Sequence, residues 1–213
     1  MNNIDHKEKI ENMKKNFITY LLMLVSLLPL PLATPAIAEV DPLEKPKNFI
    51  NTNAQNVLNI LKNGESKQAE EKRLTEVFLG VVDYNWMAQF TIGKYWNKLS
   101  AEQRTQYQEV YKKYLSSIYV SKYTEYNKQT YTLTDAKKMQ NDQYMVFMEI
   151  SSSNMEPLVK VAYRIREYNS TFKIIDIVAE NISLINTQRA EFSSFLSRHS
   201  LEDLIRDLAS KSM

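Results

Sequence analysis

Cysteine is absent from the 213 residues of this chain, and glycine occurs only three times. Without cysteine there is no disulfide framework, so a stable fold must depend on a packed hydrophobic core. Three glycines are too few for the glycine-rich loops that bind phosphate groups. The chain also lacks the cysteine nucleophile and the Gly-x-Ser-x-Gly elbow of many hydrolases. These absences argue against several large classes of enzyme.

The chain has no marked excess of charge of either sign, with 27 Lys and Arg against 25 Asp and Glu. Nucleic-acid binding needs a concentrated positive field, so this balance argues against a nucleic-acid partner. Histidine is scarce as well, because only His6 and His199 occur. A lone histidine cannot form a metal site without carboxylate ligands, and we predict no metal and no cofactor.

Residues 1–38 have the pattern of a secretory signal peptide. Four lysines between positions 7 and 15 precede an apolar run from Phe17 to Leu32, and Ala36-Ile37-Ala38 fits a cleavage site. The run contains proline near its end and is shorter than the ~20 residues of a membrane-spanning helix, which argues against an anchor. We therefore predict export and cleavage near Ala38.

The remainder predicts a flexible leader at residues 39–47, which contain two prolines, and a single domain at residues 48–213. Helical periodicity indicates helices at 49–62 and 66–80, a short helix capped by Asp83, and a long helix from the capping box at Ser100 to about Tyr126.

Beyond the long helix the pattern alternates and predicts four strands, at 130–139, 143–151, 157–167 and 171–180. Asn141-Asp142 and residues 168–170 are turn candidates short enough for antiparallel hairpins. The helical period returns after Leu184, and Ser200 is expected to cap a last helix. Helices, then strands, then helices predict an α+β fold with the helices packed on one face of the sheet.

Asp176 is the most unusual residue of the strands, since it stands in the apolar run from Phe172 to Val178. A buried carboxylate needs a partner, and Arg164 or Arg166 on the preceding strand could provide one. A structural role is favoured over a catalytic one, because no second acid completes a glycosidase-like pair.

The strands also carry more apolar and aromatic side chains than one sheet face needs. This surplus is compatible with a filled core and with a hollow core that holds a ligand, and composition alone does not distinguish the two.

Several segments resemble, in order and spacing, motifs of the MlaC family and its toluene-tolerance relatives. They are Gly93-Lys94-Tyr95-Trp96 with the following Ser100-Ala101-Glu102-Gln103, Val161 to Ile165, Phe172 to Val178, Ile182 to Leu184, and Asn186 to Phe192. Asn181 stands where the family usually has glycine, and a left-handed turn would tolerate it.

The resemblance implies a curved antiparallel sheet with an apolar cavity between the sheet and the helices. It implies a soluble periplasmic carrier whose cargo is phospholipid, with no enzymatic activity. The partners would be an outer-membrane lipoprotein complex and an inner-membrane ABC transporter complex. The alternative is a periplasmic protein-binding or chaperone module with a filled core.

If the cavity exists, the apolar face of the third predicted strand must look into it, together with the matching face of the second strand and the long helix. Tyr95 and Trp96 are expected to have a structural role or to lie at the rim. The predicted lipid-binding residues are therefore Tyr95, Trp96, Tyr111, Leu115, Ile118, Val146, Met148, Val159, Val161, Tyr163 and Ile165.

Overall fold

The computed structural model describes residues 41–124, 129–152 and 155–212, with the backbone alone for 122–124, 152 and 155–157. The predicted signal peptide and the predicted end of the long helix at Tyr126 lie outside these residues. The described chain forms six α-helices, one 3-10 helix and five strands. They are α1 (Glu44–Lys62), α2 (Lys67–Val81), α3 (Tyr84–Ile92), the 3-10 helix (Gly93–Lys98), α4 (Ala101–Thr124), β1 (Thr130–Lys138), β2 (Gln143–Ser152), β3 (Met155–Tyr168), β4 (Thr171–Ala179), β5 (Ile182–Ser183), α5 (Leu184–Leu196) and α6 (Leu201–Ser210).

The helix starts follow from side chains that accept hydrogen bonds from the first free backbone amides. The Asp83 carboxylate accepts from Trp86 N at 2.9 Å. The predicted capping box at Ser100 is confirmed, because Ser100 Oγ accepts from Gln103 N and Ser100 N donates to Gln103 Oε1. Ser200 forms a second capping box with Asp203.

Helix α1 begins at Glu44, inside the segment predicted as a flexible leader. Pro46 occupies the third position of the helix, where the missing amide costs nothing because the first four amides of a helix have no intrahelical acceptor. Residues 44–47 therefore extend the first helix. None of the helices in the described ranges combines the length and the apolar character needed to cross a membrane.

The sheet is an antiparallel meander with the order β1-β2-β3-β4-β5. Its turns place two consecutive residues in the left-handed region, at Asn141 and Asp142 and at Asn169 and Ser170. Residues 169–170 form a two-residue hairpin between the paired Tyr168 and Thr171, and such a hairpin requires paired positive φ values. The β1–β2 turn is one residue longer, because Met139 N donates to the Gln143 carbonyl across residues 140–142. Both predicted turns are confirmed.

The sheet has five strands, and the prediction of four was wrong. Glu180 and Asn181 form a third left-handed turn, and Ile182–Ser183 then pairs with β4. Two residues are too short to show a period, so the sequence pattern could not reveal β5. The turn does place Asn181 at a φ of 66°, the left-handed conformation expected for it.

A bulge in β4 interrupts the alternation of its side chains between the two faces of the sheet. Arg164 and Ile165 are consecutive on β3, but their partners are Asp176 and Ile174, so Ile175 is the extra residue. All of residues 174–177 are buried. Helix α1 lies against β1 and β2, while α2, α3 and α5 meet β4.

Candidate functional site

An open cavity of about 550 Å³ lies between helices α1 and α2 and one face of the sheet. Its wall is largely apolar, and α1 contributes six of the side chains. The lining residues are Ile50, Asn53, Ala54, Val57, Leu58, Leu61, Val77, Phe78, Val81, Gln129, Thr130, Tyr131, Met148, Ile150, Val159, Tyr163 and Ile174. Several of the α1 residues are only half-buried, which shows that this apolar stripe faces open space.

The cavity continues into a shallower depression of about 680 Å³, which we call the mouth. The mouth lies where α1 ends and β1 begins, and it shares Leu58, Leu61 and residues 129–131 with the cavity. Gln55 and Lys62 line the mouth only. The site is therefore apolar in its depth and polar at its opening.

Three of the predicted residues, Met148, Val159 and Tyr163, line this cavity. Val146 and Ile165 point to the same face of the sheet, because Val146 pairs with Tyr163 and Ile165 pairs with Tyr144. Both are completely buried in the core beside the cavity. Val161 pairs with Met148 and is half-buried against the same core.

The predicted residues of the long helix lie elsewhere. Tyr111 and Leu115 are completely buried. Tyr111 donates a hydrogen bond to Gln188 of α5 at 2.8 Å, and its ring is perpendicular to that of Phe192 with the centroids 6.4 Å apart. Burial raises the pKa of Tyr111 well above its ordinary value of 10.0. Ile118, one turn beyond Leu115, is half-buried. Tyr111 thus belongs to the core between α4 and α5, and Leu115 is part of the same buried cluster. None of the three side chains is among those lining the cavity.

Tyr95 and Trp96 lie in the 3-10 helix and pack, half-buried, against the hydrophobic core. Lys94 lies 5.2 Å from the Tyr95 ring, and Arg104 lies 5.3 Å from the Trp96 ring. Arg104 Nε also donates to the Trp96 carbonyl at 3.2 Å. Neither ring lines the cavity or the mouth.

The cavity residues that sequence reasoning missed are chiefly those of α1 and α2. Their apolar positions are visible in the sequence, since Ile50, Val57, Leu58 and Leu61 recur at helical spacing. Periodicity identifies the apolar face of a helix but not the surface it covers. The information that α1 rather than α4 faces this side of the sheet exists only in the tertiary structure.

Asp176 is 1% exposed, and its carboxylate is held by hydrogen bonds from within the fold. Its Oδ2 accepts from Arg164 Nη2 at 2.9 Å and from Ser183 Oγ at 2.7 Å, and its Oδ1 accepts from Ile185 N at 3.2 Å. The predicted partnership with an arginine of β3 is thus confirmed for Arg164. The carboxylate joins β3, β4 and the start of α5.

The remaining candidate for chemistry, His199, is exposed, and its ring packs on Phe195 with centroids 4.5 Å apart. Across the described ranges, no three His, Asp or Glu side chains are grouped in a way that could bind a metal ion.

The fold is that of an α+β protein with an apolar cavity held between two N-terminal helices and a curved antiparallel sheet. A sequence model of the MlaC protein family matches residues 51–210, and the chain belongs to this family. The fold is also similar to the solved structure of the phospholipid-binding protein from Ralstonia solanacearum, determined in complex with a phospholipid. The TM-score is 0.69 at 19% sequence identity, over 78% of this chain and 96% of that chain.

Proposed function

We propose that the protein is a periplasmic phospholipid carrier that holds acyl chains in the cavity and is not an enzyme. The observation that carries this proposal is the open apolar cavity of about 550 Å³ in a member of the MlaC family. Met148, Val159 and Tyr163 from the sheet, with the apolar stripe of α1, would contact the chains. The protein of similar fold from Ralstonia solanacearum was solved with a phospholipid bound, which supports the same cargo here.

The size of the site fits part of a phospholipid inside and part at the opening. A volume of about 550 Å³ holds roughly 18 groups the size of a water molecule, at about 30 Å³ each, which corresponds to one long acyl chain. The mouth, of about 680 Å³, has room for the rest of the lipid. The alternative function is a protein-binding or chaperone module with a filled core. This alternative does not explain the open cavity.

Energetics require that transfer occurs while the carrier is docked. Moving a chain of about 15 methylenes from the cavity into water costs about 12 kcal/mol, at ~0.8 kcal/mol per methylene. Release into water is therefore too slow for transport. We propose that the carrier exchanges lipid between an outer-membrane lipoprotein complex and an inner-membrane ABC transporter complex, each of which must offer a continuous apolar path.

Mass spectrometry of lipids extracted from gently purified protein tests the cargo. We expect phospholipid in an amount comparable to the protein, and uptake of labelled phospholipid from vesicles after delipidation. Protein that purifies without phospholipid and takes up none from vesicles would overturn the carrier function and favour the protein-binding module.

A further inference from the structure

The polar side chains of the site are concentrated at one end of it. Val77, Phe78, Val81 and Ile174 line the cavity but not the mouth, whereas Gln55 and Lys62 line only the mouth. An amphiphile that enters tail first therefore leaves its polar end beside the last turns of α1.

Lys62 is the only charged residue among the described residues that line the cavity and the mouth. It is exposed, and the ion pairs formed among residues 41–124, 129–152 and 155–212 do not include it. Lysine is a common binder of phosphate groups because its ammonium is a compact point charge with three donors.

Gln55 and Lys62 lie on one stripe of α1. Positions 58 and 62 are three and seven residues beyond position 55, so the three side chains follow one another along the same side of a helix. Leu58 lines both the cavity and the mouth, with Gln55 and Lys62 on either side of it along this stripe. A phosphate bound at Lys62 would thus stand directly outside an apolar wall.

We propose that Lys62 binds the phosphate of the lipid at the mouth, with Gln55 as a neighbouring hydrogen-bond donor. This assignment rests on the proposed carrier function, and it names the residues that bind the polar part of the phospholipid. With a single cation and no carboxylate among the described residues of the mouth, recognition stops at the phosphate, and the group attached to it is left in water. The site therefore selects phospholipids over uncharged lipids with the same acyl chains and discriminates weakly among headgroups.

The test compares three fluorescent lipids of equal chain length: phosphatidylethanolamine, diacylglycerol and a free fatty acid. Each is titrated into delipidated wild type, Lys62→Gln and Lys62→Glu at low and high salt. The matched control is Lys72→Gln, which changes an exposed lysine of α2 that lines neither the cavity nor the mouth.

We expect Lys62→Gln to weaken phosphatidylethanolamine binding about tenfold, which corresponds to about 1.4 kcal/mol. Lys62→Glu should weaken it further, and added salt should shrink both effects because it screens exposed charges. Diacylglycerol affinity and the control variant should not change.

An equal loss for phosphatidylethanolamine and diacylglycerol would overturn the proposal, since it would mean that the apolar wall was disturbed. Unchanged phosphatidylethanolamine affinity, or a loss confined to the fatty acid, would overturn the assignment to phosphate. Failure of the wild type to bind any of the three lipids would instead contradict the carrier function itself.

Discussion

The guanidinium group of Arg189 lies against Gly93, so closely that a methyl group on Gly93 would be 2.8 Å from Arg189 Nη2. Arg189 Nη1 donates to the Phe90 carbonyl at 2.9 Å, and the guanidinium lies 4.5 Å from the Phe90 ring. The end of α3 is therefore capped by a side chain from α5. Both residues fall in segments that carried the family resemblance, although they are far apart in the sequence.

Gly93→Ala should destabilise the protein by about 1–3 kcal/mol, because the residue has a φ of 50° and because Arg189 must move. Urea unfolding measures the effect. Gly80→Ala is the control: a methyl group added to Gly80, within α2, would have no neighbour within 4 Å, so alanine there should stabilise by up to about 1 kcal/mol. If Arg189 supplies part of the cost, Gly93→Ala will cost less in an Arg189→Ala background, whereas strictly additive effects would contradict the contact.

Val159→Glu should abolish lipid retention, because Val159 lines the cavity and an unpaired carboxylate among acyl chains is costly. Leu158→Glu is a matched control, since the same change is made one residue away on the opposite face, where the side chain is 47% exposed. Lipid content by mass spectrometry and folding by circular dichroism are measured together. A folded Val159→Glu protein with full lipid content would remove Val159 from the binding site.

Asp176→Ala should lower the free energy of unfolding by about 3–5 kcal/mol, because it leaves the partly buried Arg164 without its counter-charge. The variant also removes acceptors from Ser183 and from the first turn of α5. Lipid loading should fall only in proportion to unfolding. A folded, lipid-loaded Asp176→Asn protein that had lost a hydrolytic activity of the wild type would revive the interpretation as an enzyme.

Alkaline pH should destabilise the protein through its buried tyrosines. Burial raises the pKa of Tyr107 and Tyr111 above 10.0, so above about pH 10 the unfolded chain loses protons that the folded protein keeps. The contribution of these tyrosines to the free energy of unfolding is therefore fully present below pH 10. It falls as the pH rises toward the pKa values of the folded state, by about 1.4 kcal/mol per pH unit for each tyrosine. Urea unfolding between pH 8 and 11 should show a shallower decline for Tyr107→Phe, and an unchanged slope would contradict this origin.

The elements of this fold were largely predictable because their signals are local. Ser100, Asp83 and Ser200 cap helices through side chains next to the amides they satisfy. Short turns at residues 140–142 and 169–170 join β1 to β2 and β3 to β4. The pairing of Asp176 with Arg164 was predictable for a related reason. A carboxylate in an apolar strand needs a cation within reach, and the adjacent strand of a meander offers few.

The composition of the cavity wall depends on features that sequence patterns do not encode. The bulge at Ile175 changes which side chains of β4 face each side of the sheet. No residue type in this strand predicts the bulge. The helices α1, α2 and α4 all have apolar stripes, so the choice of α1 and α2 for this face is settled by how the chain is connected and packed. Sequence analysis could therefore predict the sheet half of the site better than the helical half.

The meander order has a consequence for the time course of folding. Neighbouring strands are neighbours in the chain, so the sheet can grow by closing one short loop after another at small entropic cost. The cavity, in contrast, needs α1 to reach β1 across 80 positions, where Tyr131 donates to Asn51 at 2.9 Å. We expect pulsed hydrogen exchange during refolding to protect the amides of β2 and β3 before those of α1, so that the sheet exists before there is any room for a lipid.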